Sequence, residues 1–338
     1  MKYTTPIAAL VLAAVLRSTA TCQAAAPDEL FVAFWNVENL FDTVDDPKVE
    51  KDEEFTPTAD KKWTQTRLEI KLTNLARVIC DMNEGRGPDV LGLSEVENRR
   101  VVELLVAKLA KLNRRYDIVH QDSPSFRGID CALIYDQSVC KLAASKFHRI
   151  DDMTTRDIVE ARVVVDDRSL TVFVNHWPSR YNPDAARVKV AGVLRQRVDE
   201  LLAANAATDI VIIGDLNDTP ANISVSKTLA AVTTPVRSGR ELYDLMGPIH
   251  DDPHTGTYVY KNKWGVLDHV IVSPGLLNNS GFALVQSSGR TILKDYQLYV
   301  PRKAGQIPKP SRSYTGPYFH QAGYSDHLPV ACRLRVCD

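Results

Sequence analysis

Five short segments of this 338-residue chain place polar side chains at the ends of apolar runs that are predicted to be β-strands. The polar residues at these ends are Asn36, Glu95, His176, Asp215 with Asn217, and Asp326 with His327. Carboxylates, amides and imidazoles that meet at one edge of a sheet are the groups from which a metal-assisted hydrolase site is built. The chain is therefore predicted to be a hydrolase that works with a divalent metal ion.

In this order, the segments resemble the endonuclease/exonuclease/phosphatase superfamily, which includes deoxyribonuclease-like nucleases, abasic-site endonucleases, inositol-polyphosphate 5-phosphatases and bacterial sphingomyelinases. The resemblance covers the chain from about Phe31 to Val336, and it is specific because the order and spacing of all the motifs agree. The sequence is most similar to secreted bacterial members. These read Trp-Asn-Val-Glu-Asn-Leu-Phe-Asp near the start, as residues 35–42 do, and Ser-Asp-His-Leu-Pro-Val at the end, as residues 325–330 do.

The metal ligands expected from this resemblance are Asn36, Glu95 and Asp326. The family binds its metal through the Glu of the second motif, and a carboxylate that ends an apolar strand is otherwise unusual. The alternative for Glu95 is a salt bridge to an arginine of the following helix. Mg²⁺ prefers hard oxygen ligands and keeps several waters, so that one or two carboxylates suffice. Mg²⁺ is the expected cofactor, with Mn²⁺ as a substitute.

The resemblance also implies the catalytic residues. The family assigns the Asp of the Gly-Asp-x-Asn motif, here Asp215, to orienting or deprotonating the attacking water, and assigns Asn217 to the phosphate. His327 is expected to pair with Asp268, which fixes the imidazole tautomer and favours its charged form. His327 then either activates water or stabilises the pentavalent phosphorus. His176 is expected to hydrogen-bond the phosphate or to serve as an acid.

The stretch between Asp295 and Asp326 contains no acidic residue, but it carries four basic and six aromatic side chains. A long cationic and aromatic loop beside the site predicts a surface that binds phosphate and stacks on rings. Arg312 and Tyr314 are its candidate substrate-binding residues, and the alternative is an ordinary solvated loop. Arg180, which closely follows His176, is a further candidate for binding phosphate.

The secondary-structure elements that position these residues are predicted to be buried strands and three helices. Leucines and valines at spacings of three and four predict helices over 63–82 and 183–206, and a third helix is predicted over 100–112. Consecutive apolar residues such as 211–213 predict strands that are covered on both faces. This pattern indicates a layered α/β sandwich. The resemblance implies one domain with four α/β/β/α layers, in which two packed mixed β-sheets are flanked by helices.

The N-terminus predicts export. Residues 1–24 read as a signal peptide, because Lys2 precedes an apolar run that is too short to span a bilayer and Ala24 offers a cleavage site. The enzyme domain is then 28–338 and the protein is secreted or periplasmic, with lipidation of Cys22 as a minor alternative. The other five cysteines show no zinc-binding spacing, and their odd number leaves at least one thiol unpaired. Most of them sit in apolar runs and are predicted to be small buried hydrophobic residues.

Two polar segments and one histidine can be mistaken for metal-binding or catalytic sites. The acidic stretch 42–62 is predicted to be a solvated loop, with a calcium site as the minor alternative. Residues 250–254 are predicted to form a solvated turn. His269 follows Asp268 directly, so strand alternation points it to the opposite face, and it is predicted to be structural.

Together these features predict a Mg²⁺-dependent phosphoesterase that cleaves phosphodiester bonds, with nucleic acid as the leading substrate class. The formal net charge of −1 counts mildly against a nuclease that relies on a broad basic face. A phosphomonoesterase or a lipid-headgroup hydrolase of the inositol phosphate or sphingomyelin type is the alternative within enzymes. A non-catalytic binding module on the same fold is the alternative of another class, and the presence of every motif residue argues against it. No stable protein partner and no transmembrane segment are expected.

Overall fold

A computed structural model describes Met1, residues 28–49 and residues 51–337. The predicted signal peptide and Cys22 lie outside the described residues, apart from Met1. The strands are β1 (Glu29–Leu40), β2 (Val90–Val96), β3 (Tyr116–His120), β4 (Asp130–Asp136), β5 (Lys141–His148), β6 (Ile158–Val165), β7 (Arg168–His176), β8 (Ile210–Asp215), β9 (Ala231–Val232), β10 (Leu242–Asp244), β11 (Tyr258–Tyr260), β12 (Lys263–Gly265), β13 (Asp268–Val272), β14 (Phe282–Leu284), β15 (Arg290–Thr291), β16 (Leu298–Tyr299), β17 (Lys309–Pro310), β18 (Tyr314–Thr315), β19 (Tyr318–Phe319) and β20 (Val330–Val336).

The α-helices among these residues are α1 (Gln65–Asp81), α2 (Arg99–Lys108), α3 (Asp184–Ala204) and α4 (Gly247–Asp251). Short 3₁₀ helices cover Glu53–Phe55, Met82–Gly85, Ala110–Leu112, Pro274–Leu277 and Asp295–Gln297, and a π-helical turn covers Ser224–Thr228. In the part of the chain described here, no helix is long and apolar enough to cross a membrane.

Two mixed sheets of seven strands form the centre of the molecule. The first has the order β14-β20-β1-β2-β4-β3, with β15 paired to β20, and the second has the order β5-β6-β7-β8-β13-β10-β9. The β1/β2 and β7/β8 pairs are parallel, whereas the remaining neighbours of these four strands are antiparallel. The sheets pack on each other, α1 and α2 cover the first, and α3 covers the second. The predicted four-layer α/β/β/α sandwich is confirmed.

Strand β1 shows why this sequence forms a strand that is buried on both faces. Phe31, Ala33 and Trp35 pack on the helical layer. Leu30, Val32 and Phe34 point into the core between the sheets. Because successive side chains of a strand alternate between its faces, covering both faces requires a continuous apolar run.

The helix α1 begins at Thr64, whose hydroxyl accepts a hydrogen bond from the backbone N–H of Arg67 at 3.4 Å. One stripe of apolar side chains at helical spacing, which includes Leu68, Leu72 and Leu75, packs on the first sheet. The helix lies within the predicted range 63–82. The five cysteines of residues 28–337 are all buried and unpaired, whereas the sequence predicted burial for most of them and at least one free thiol.

The segment between Asp295 and Asp326 differs from the single long loop that was expected. It contains two small antiparallel pairs, β16–β17 and β18–β19. Tyr314 and Phe319 of the second pair pack against the core next to α1. The segment is therefore partly built into the helical layer and is not free at the surface.

Candidate active site

The candidate site is the polar end of the core between the two sheets. His176, Asp215 and Asp268 continue the faces of their strands that point into this core, since residues two before each of them lie in it. The β7/β8 register sets His176 beside Asp215, and the β8/β13 register sets Asp268 on its other side. Asn36 continues the same face of β1 from the opposite sheet. Regular strand alternation thus delivers these four side chains to one place.

Asp215 lies at the centre of this group. Its Oδ2 is 3.6 Å from His176 Nε2 and 3.7 Å from His327 Nε2. The same oxygen accepts a hydrogen bond from Asn36 Nδ2 at 3.1 Å. Burial, assisted by the nearby Asp268 carboxylate, raises the pKa of Asp215 to about 7, and the charge of His327 opposes this rise. A carboxyl group with this pKa can take up and release a proton near neutral pH.

His327 is held by Asp268, whose Oδ2 lies 2.8 Å from its Nδ1. Burial opposes a charge on this imidazole, but the carboxylates of Asp268 and Asp215 together raise the pKa of His327 well above its usual value. The imidazolium therefore directs its Nε2–H toward Asp215. The ring of Tyr258 lies against the imidazole at a centroid distance of 4.8 Å.

His176 has the opposite character. Burial lowers the pKa of His176 well below its usual value, and the charges of Arg156 and Arg127 add to this effect. Arg156 also fixes the end of β7, because it donates hydrogen bonds to the carbonyl oxygens of His176 at 3.1 Å and of Trp177 at 2.6 Å. His176 is thus a neutral imidazole beside a charged one.

Glu95 reaches the site through an irregularity in β2. Leu91 and Leu93 face the helical layer, so regular alternation would also turn residue 95 away from the other sheet. The pairing with β4 shifts between Ser94 and Val96, and Glu95 has a φ of 62°, in the left-handed region that non-glycine residues rarely adopt. This bulge turns the carboxylate into the cavity.

Hydrogen bonds fix the Glu95 carboxylate once it is there. Asn36 Nδ2 donates to its Oε1 at 3.3 Å, and the backbone N–H of Asn39 donates to its Oε2 at 2.9 Å. Arg127 Nη2 lies 3.8 Å from the same Oε2. The salt bridge to an arginine of the following helix is not formed, since Arg99 pairs with Glu103 and Asp117 and Arg100 approaches Glu103.

Asp326 lies in a second charged group, which connects the site to α1. Arg312 donates to Asp326 Oδ2 at 2.8 Å. The buried Lys71 donates to Ser313 Oγ at 2.7 Å and lies 4.0 Å from Glu38 Oε2. Burial raises the pKa of Glu38 to about 8, and the charge of Asp326 adds to this rise. The two cations therefore offset two closely placed carboxyl groups.

The candidate residues surround one cavity of about 850 Å³. Seven of the eleven candidates line it: Glu95, His176, Arg180, Asp215, Asn217, Asp326 and His327. Asn36 and Asp268 lie directly behind the lining, bonded to Asp215 and His327. Arg312 and Tyr314 do not line the cavity.

Asn217 reaches the cavity from the turn that follows β8. The strand β8 ends at Asp215, and Asn217 adopts a left-handed conformation with a φ of 52°. Its backbone N–H donates to Asp215 Oδ1 at 2.9 Å, and its amide donates to the carbonyl oxygen of Trp177 at 3.1 Å. Asp215 and Asn217 thus form an Asx-type turn at the edge of the site.

The cavity wall contains residues that sequence reasoning missed: Phe126, Arg127, Arg156, Tyr181, Tyr258, Tyr260, Lys263 and Trp264. Four of them belong to the β11–β12 hairpin, whose turn residues Lys261 and Asn262 both have positive φ. The short aromatic-rich run with Asn at the turn was a usable hairpin signal. Arg127 and Arg156 lie in polar connections without any motif. His250, placed in a solvated turn by the sequence, also reaches the cavity.

Arg312 and Tyr314 occupy places other than the expected substrate surface. The Arg312 guanidinium forms an ion pair with Asp326, which offsets its charge. The Tyr314 ring lies 5.7 Å from Trp63 and 5.3 Å from Phe319 between ring centroids, in a packed aromatic cluster. Neither side chain lines the cavity, and a role of either in substrate binding stays a prediction. The expected structural role of His269 agrees with its position, because it is buried between Asp244 and the carbonyl oxygen of Asp218.

The position of Tyr314 leads to a test of stability. Tyr314→Ala should lower the free energy of unfolding by about 2–4 kcal/mol, because it leaves a gap in the aromatic cluster. Tyr318→Ala, which removes a ring that is 72% exposed, is the control and should change stability by less than about 0.5 kcal/mol. Urea denaturation measures both. Equal stability of the two variants would show that the Tyr314 ring is not packed as described.

Comparisons with known proteins agree with this fold. The sequence profile of the Endonuclease/Exonuclease/phosphatase family matches residues 31–336. No curated protein matches the chain in sequence. Among solved structures, D. rerio TDP2 complexed with a single-strand DNA product is 15% identical, with a TM-score of 0.57 over 92% of this chain and 100% of that one.

Two further solved structures share the fold at similar distance. The human Nocturnin catalytic domain with bound sulfate is 16% identical, with a TM-score of 0.55 over 91% of this chain and 95% of that one. An endonuclease/exonuclease/phosphatase from Bacteroides vulgatus is 15% identical, with a TM-score of 0.55 over 91% and 99% of the two chains. The profile match spans nearly all of the described residues, and the chain therefore belongs to the endonuclease/exonuclease/phosphatase family.

Proposed function

We propose that this protein is a Mg²⁺-dependent phosphodiesterase that hydrolyses its substrate by directed attack of water, with nucleic acid as the leading substrate class. One observation carries the proposal: Asp215, with a pKa near neutrality, lies between a neutral and a charged imidazole, His176 and His327. Groups whose pKa values are driven apart within one cavity are typical of acid–base sites.

The donor set of the cavity fits a hard divalent cation. The carboxylates of Glu95, Asp215 and Asp326 line the cavity, and the Asn36 amide lies within hydrogen-bonding distance of the first two. Oxygen donors of this kind suit Mg²⁺ or Mn²⁺. We assign Glu95 and Asp326 as the residues that hold the ion, with Asn36 in support. When bound, the cation supplies Lewis acidity to a non-bridging phosphoryl oxygen.

The remaining residues supply the proton transfers and the orientation. Asp215 takes the proton of the attacking water, because its pKa of about 7 matches that task. His327, charged and fixed by Asp268, stabilises the negative charge that grows on the phosphoryl group. His176 and the Asn217 amide, both neutral, hydrogen-bond the phosphate. We therefore propose Asp215, rather than either histidine, as the general base.

The shape of the cavity supports a diester larger than a lone phosphate group. Its volume of about 850 Å³ extends past the acidic residues to a wall of aromatic rings and the Arg180 guanidinium, half of which is exposed. Aromatic rings stack on nucleobases, and an exposed arginine binds phosphate. D. rerio TDP2, which has the same fold, holds a single-strand DNA product. We further propose that residues 1–24 direct the protein to the periplasm or the exterior.

A substrate panel tests this function. Plasmid DNA, a single-stranded oligonucleotide, RNA, inositol phosphates, sphingomyelin and p-nitrophenyl phosphate are incubated with and without Mg²⁺. A nucleic acid should be cleaved with the highest kcat/KM and only when Mg²⁺ is present. Preferential turnover of sphingomyelin or an inositol phosphate would replace the nucleic-acid proposal, and preference for p-nitrophenyl phosphate would replace the diesterase by a monoesterase.

A further inference from the structure

A second group of metal-ligating side chains lies outside the cavity, at the base of the loop between β3 and β4. This loop starts after His120, the last residue of β3, and ends at Asp130, the first residue of β4. One donor atom each of His120, Asp122 and Asp130 can be chosen so that all three lie within 4.8 Å of one another. None of the three lines the catalytic cavity.

The strand register explains why these side chains converge. His120 pairs with Ala132 in the antiparallel ladder, so the same register continued by two residues sets Asp122 opposite Asp130. Side chains two residues apart share a face, and the three groups therefore project from the same side. Carboxylates that oppose each other across a ladder are destabilising unless a cation offsets their charge.

No lysine or arginine provides that cation within residues 28–337, where neither Asp122 nor Asp130 forms an ion pair with one. The basic side chain beside them is the His120 imidazole, with Nδ1 3.9 Å from Asp122 Oδ1 and Nε2 3.7 Å from Asp130 Oδ2. Both distances are too long for hydrogen bonds. Arg99 is close enough to His120 to act on it electrostatically, but its guanidinium is paired with Glu103 and Asp117.

His120 supplies the second, independent sign of a ligand. Its side chain is only 2% exposed, yet its Nε2 has no hydrogen-bond partner among the described residues. A buried polar atom without a partner is rare in folded proteins and points to a bound group.

We propose that His120, Asp122 and Asp130 form a second metal site, which takes a divalent transition-metal ion such as Zn²⁺. One imidazole with two carboxylates favours Zn²⁺ over Mg²⁺, which prefers oxygen ligands alone. Bonds of about 2.1 Å to His120 Nε2 and Asp130 Oδ2 span their 3.7 Å separation at an angle of about 120°, which a protein zinc site accommodates.

The ion joins the two ends of a loop that contributes to the catalytic cavity. Phe126 and Arg127 of this loop line the cavity, and Arg127 lies 3.8 Å from Glu95 Oε2 and donates to Asn39 Oδ1 at 2.6 Å. Ser123 already bonds Asp130 through its backbone N–H at 3.1 Å and through its hydroxyl group. The second site is thus structural, and it sets the position of cavity residues without touching the substrate.

Calorimetric titration of chelator-treated protein with Zn²⁺ tests this site. The Glu95→Gln background weakens the catalytic site, and one tight site per chain should remain there. Adding His120→Gln should remove one bound ion per chain or weaken the remaining site by at least about 100-fold, because even outer-shell changes cost 10- to 100-fold. Asp122→Asn should weaken it by about tenfold or more. Since Asp122 is 83% exposed, that substitution leaves the fold intact.

Asp167→Asn is the matched control, because it removes a carboxylate that is 92% exposed far from the loop, and Zn²⁺ affinity should not change. The proposal is overturned by the absence of any Zn²⁺ site in the Glu95→Gln protein. It is equally overturned by a remaining site whose affinity is the same in the Asp122→Asn and Asp167→Asn proteins. If His120→Gln fails to fold, the Asp122→Asn comparison alone decides.

Discussion

His327→Ala is expected to lower kcat by about 10²- to 10⁴-fold while KM changes little, as for a group that acts mainly in the transition state. The imidazolium is buried, bound to Asp268 at 2.8 Å and aimed at the centre of the site, so no other side chain replaces its charge. Steady-state hydrolysis of bis(p-nitrophenyl) phosphate at saturating Mg²⁺ measures the effect. Melting curves must show that the variant is folded.

The Asp268→Asn variant keeps the His327 side chain but changes how readily it is charged. Asp268 raises the pKa of His327, so its loss lowers that pKa. If the charged imidazole is the active form, activity is lost as pH rises through the pKa of His327. The basic limb of the pH profile should therefore move to lower pH in Asp268→Asn. An unchanged kcat in a folded His327→Ala protein would remove His327 from the mechanism.

Chelation with EDTA should abolish activity, and either Mg²⁺ or Mn²⁺ should restore it. Glu95→Gln should weaken Mg²⁺ activation and lower kcat/KM by about 10³-fold at a fixed Mg²⁺ concentration, because a charged oxygen ligand is lost. Glu97→Gln is the matched control. The Glu97 carboxyl group accepts a hydrogen bond from the backbone N–H of Asp42, away from the cavity, and burial raises its pKa to about 8.

A Mg²⁺ titration of the parent, Glu95→Gln and Glu97→Gln proteins distinguishes Glu95 as a metal ligand from Glu97 as a buried carboxyl group that does not bind the metal. Only Glu95→Gln should shift the Mg²⁺ concentration that gives half-maximal activity. Activity that survives exhaustive chelation would contradict the assignment of the catalytic cavity as a metal site. Equal Mg²⁺ dependence of the three proteins would remove Glu95 as the principal ligand.

The layers of the fold could be predicted because the sequence repeats one physical pattern. Strands such as β1 and β8 are apolar at consecutive positions, which only burial on both faces explains. Helices α1 and α3 lie within their predicted ranges. The segment 296–324 was less predictable, because the packing of Tyr314 and Phe319 on Trp63 is a contact between distant parts of the chain, which composition does not encode.

The candidate site could be predicted where strand alternation alone places a residue. His176 and Asp215 end their strands and Asp268 begins its strand, all at core-facing positions, and the resemblance to the family identified them. Glu95 is different: the sequence motif identified it, but its entry into the cavity depends on a bulge that no periodic pattern reveals. Arg127 and Arg156 were missed because the groups that they contact, Glu95 and the end of β7, are distant in sequence.

Arg312 shows the limit of reasoning from local charge. The absence of acidic residues from 296 to 325 suggested a free positive surface. Asp326, the first acid after that stretch, captures the guanidinium at 2.8 Å. A count of charges within one sequence segment leaves out the residue that follows it. An ion pair depends on which side chains are close in the folded structure, not on that count.

The most direct test of the account is the rate at which purified protein hydrolyses bis(p-nitrophenyl) phosphate with Mg²⁺, compared with the Asp215→Asn variant. Asp215 lies within 4 Å of both site histidines and accepts a hydrogen bond from Asn36. The account predicts multiple turnovers by the parent, none without the metal, and a loss of about 10²- to 10⁴-fold in the variant. No turnover by the folded parent, or equal turnover by parent and variant, would contradict it.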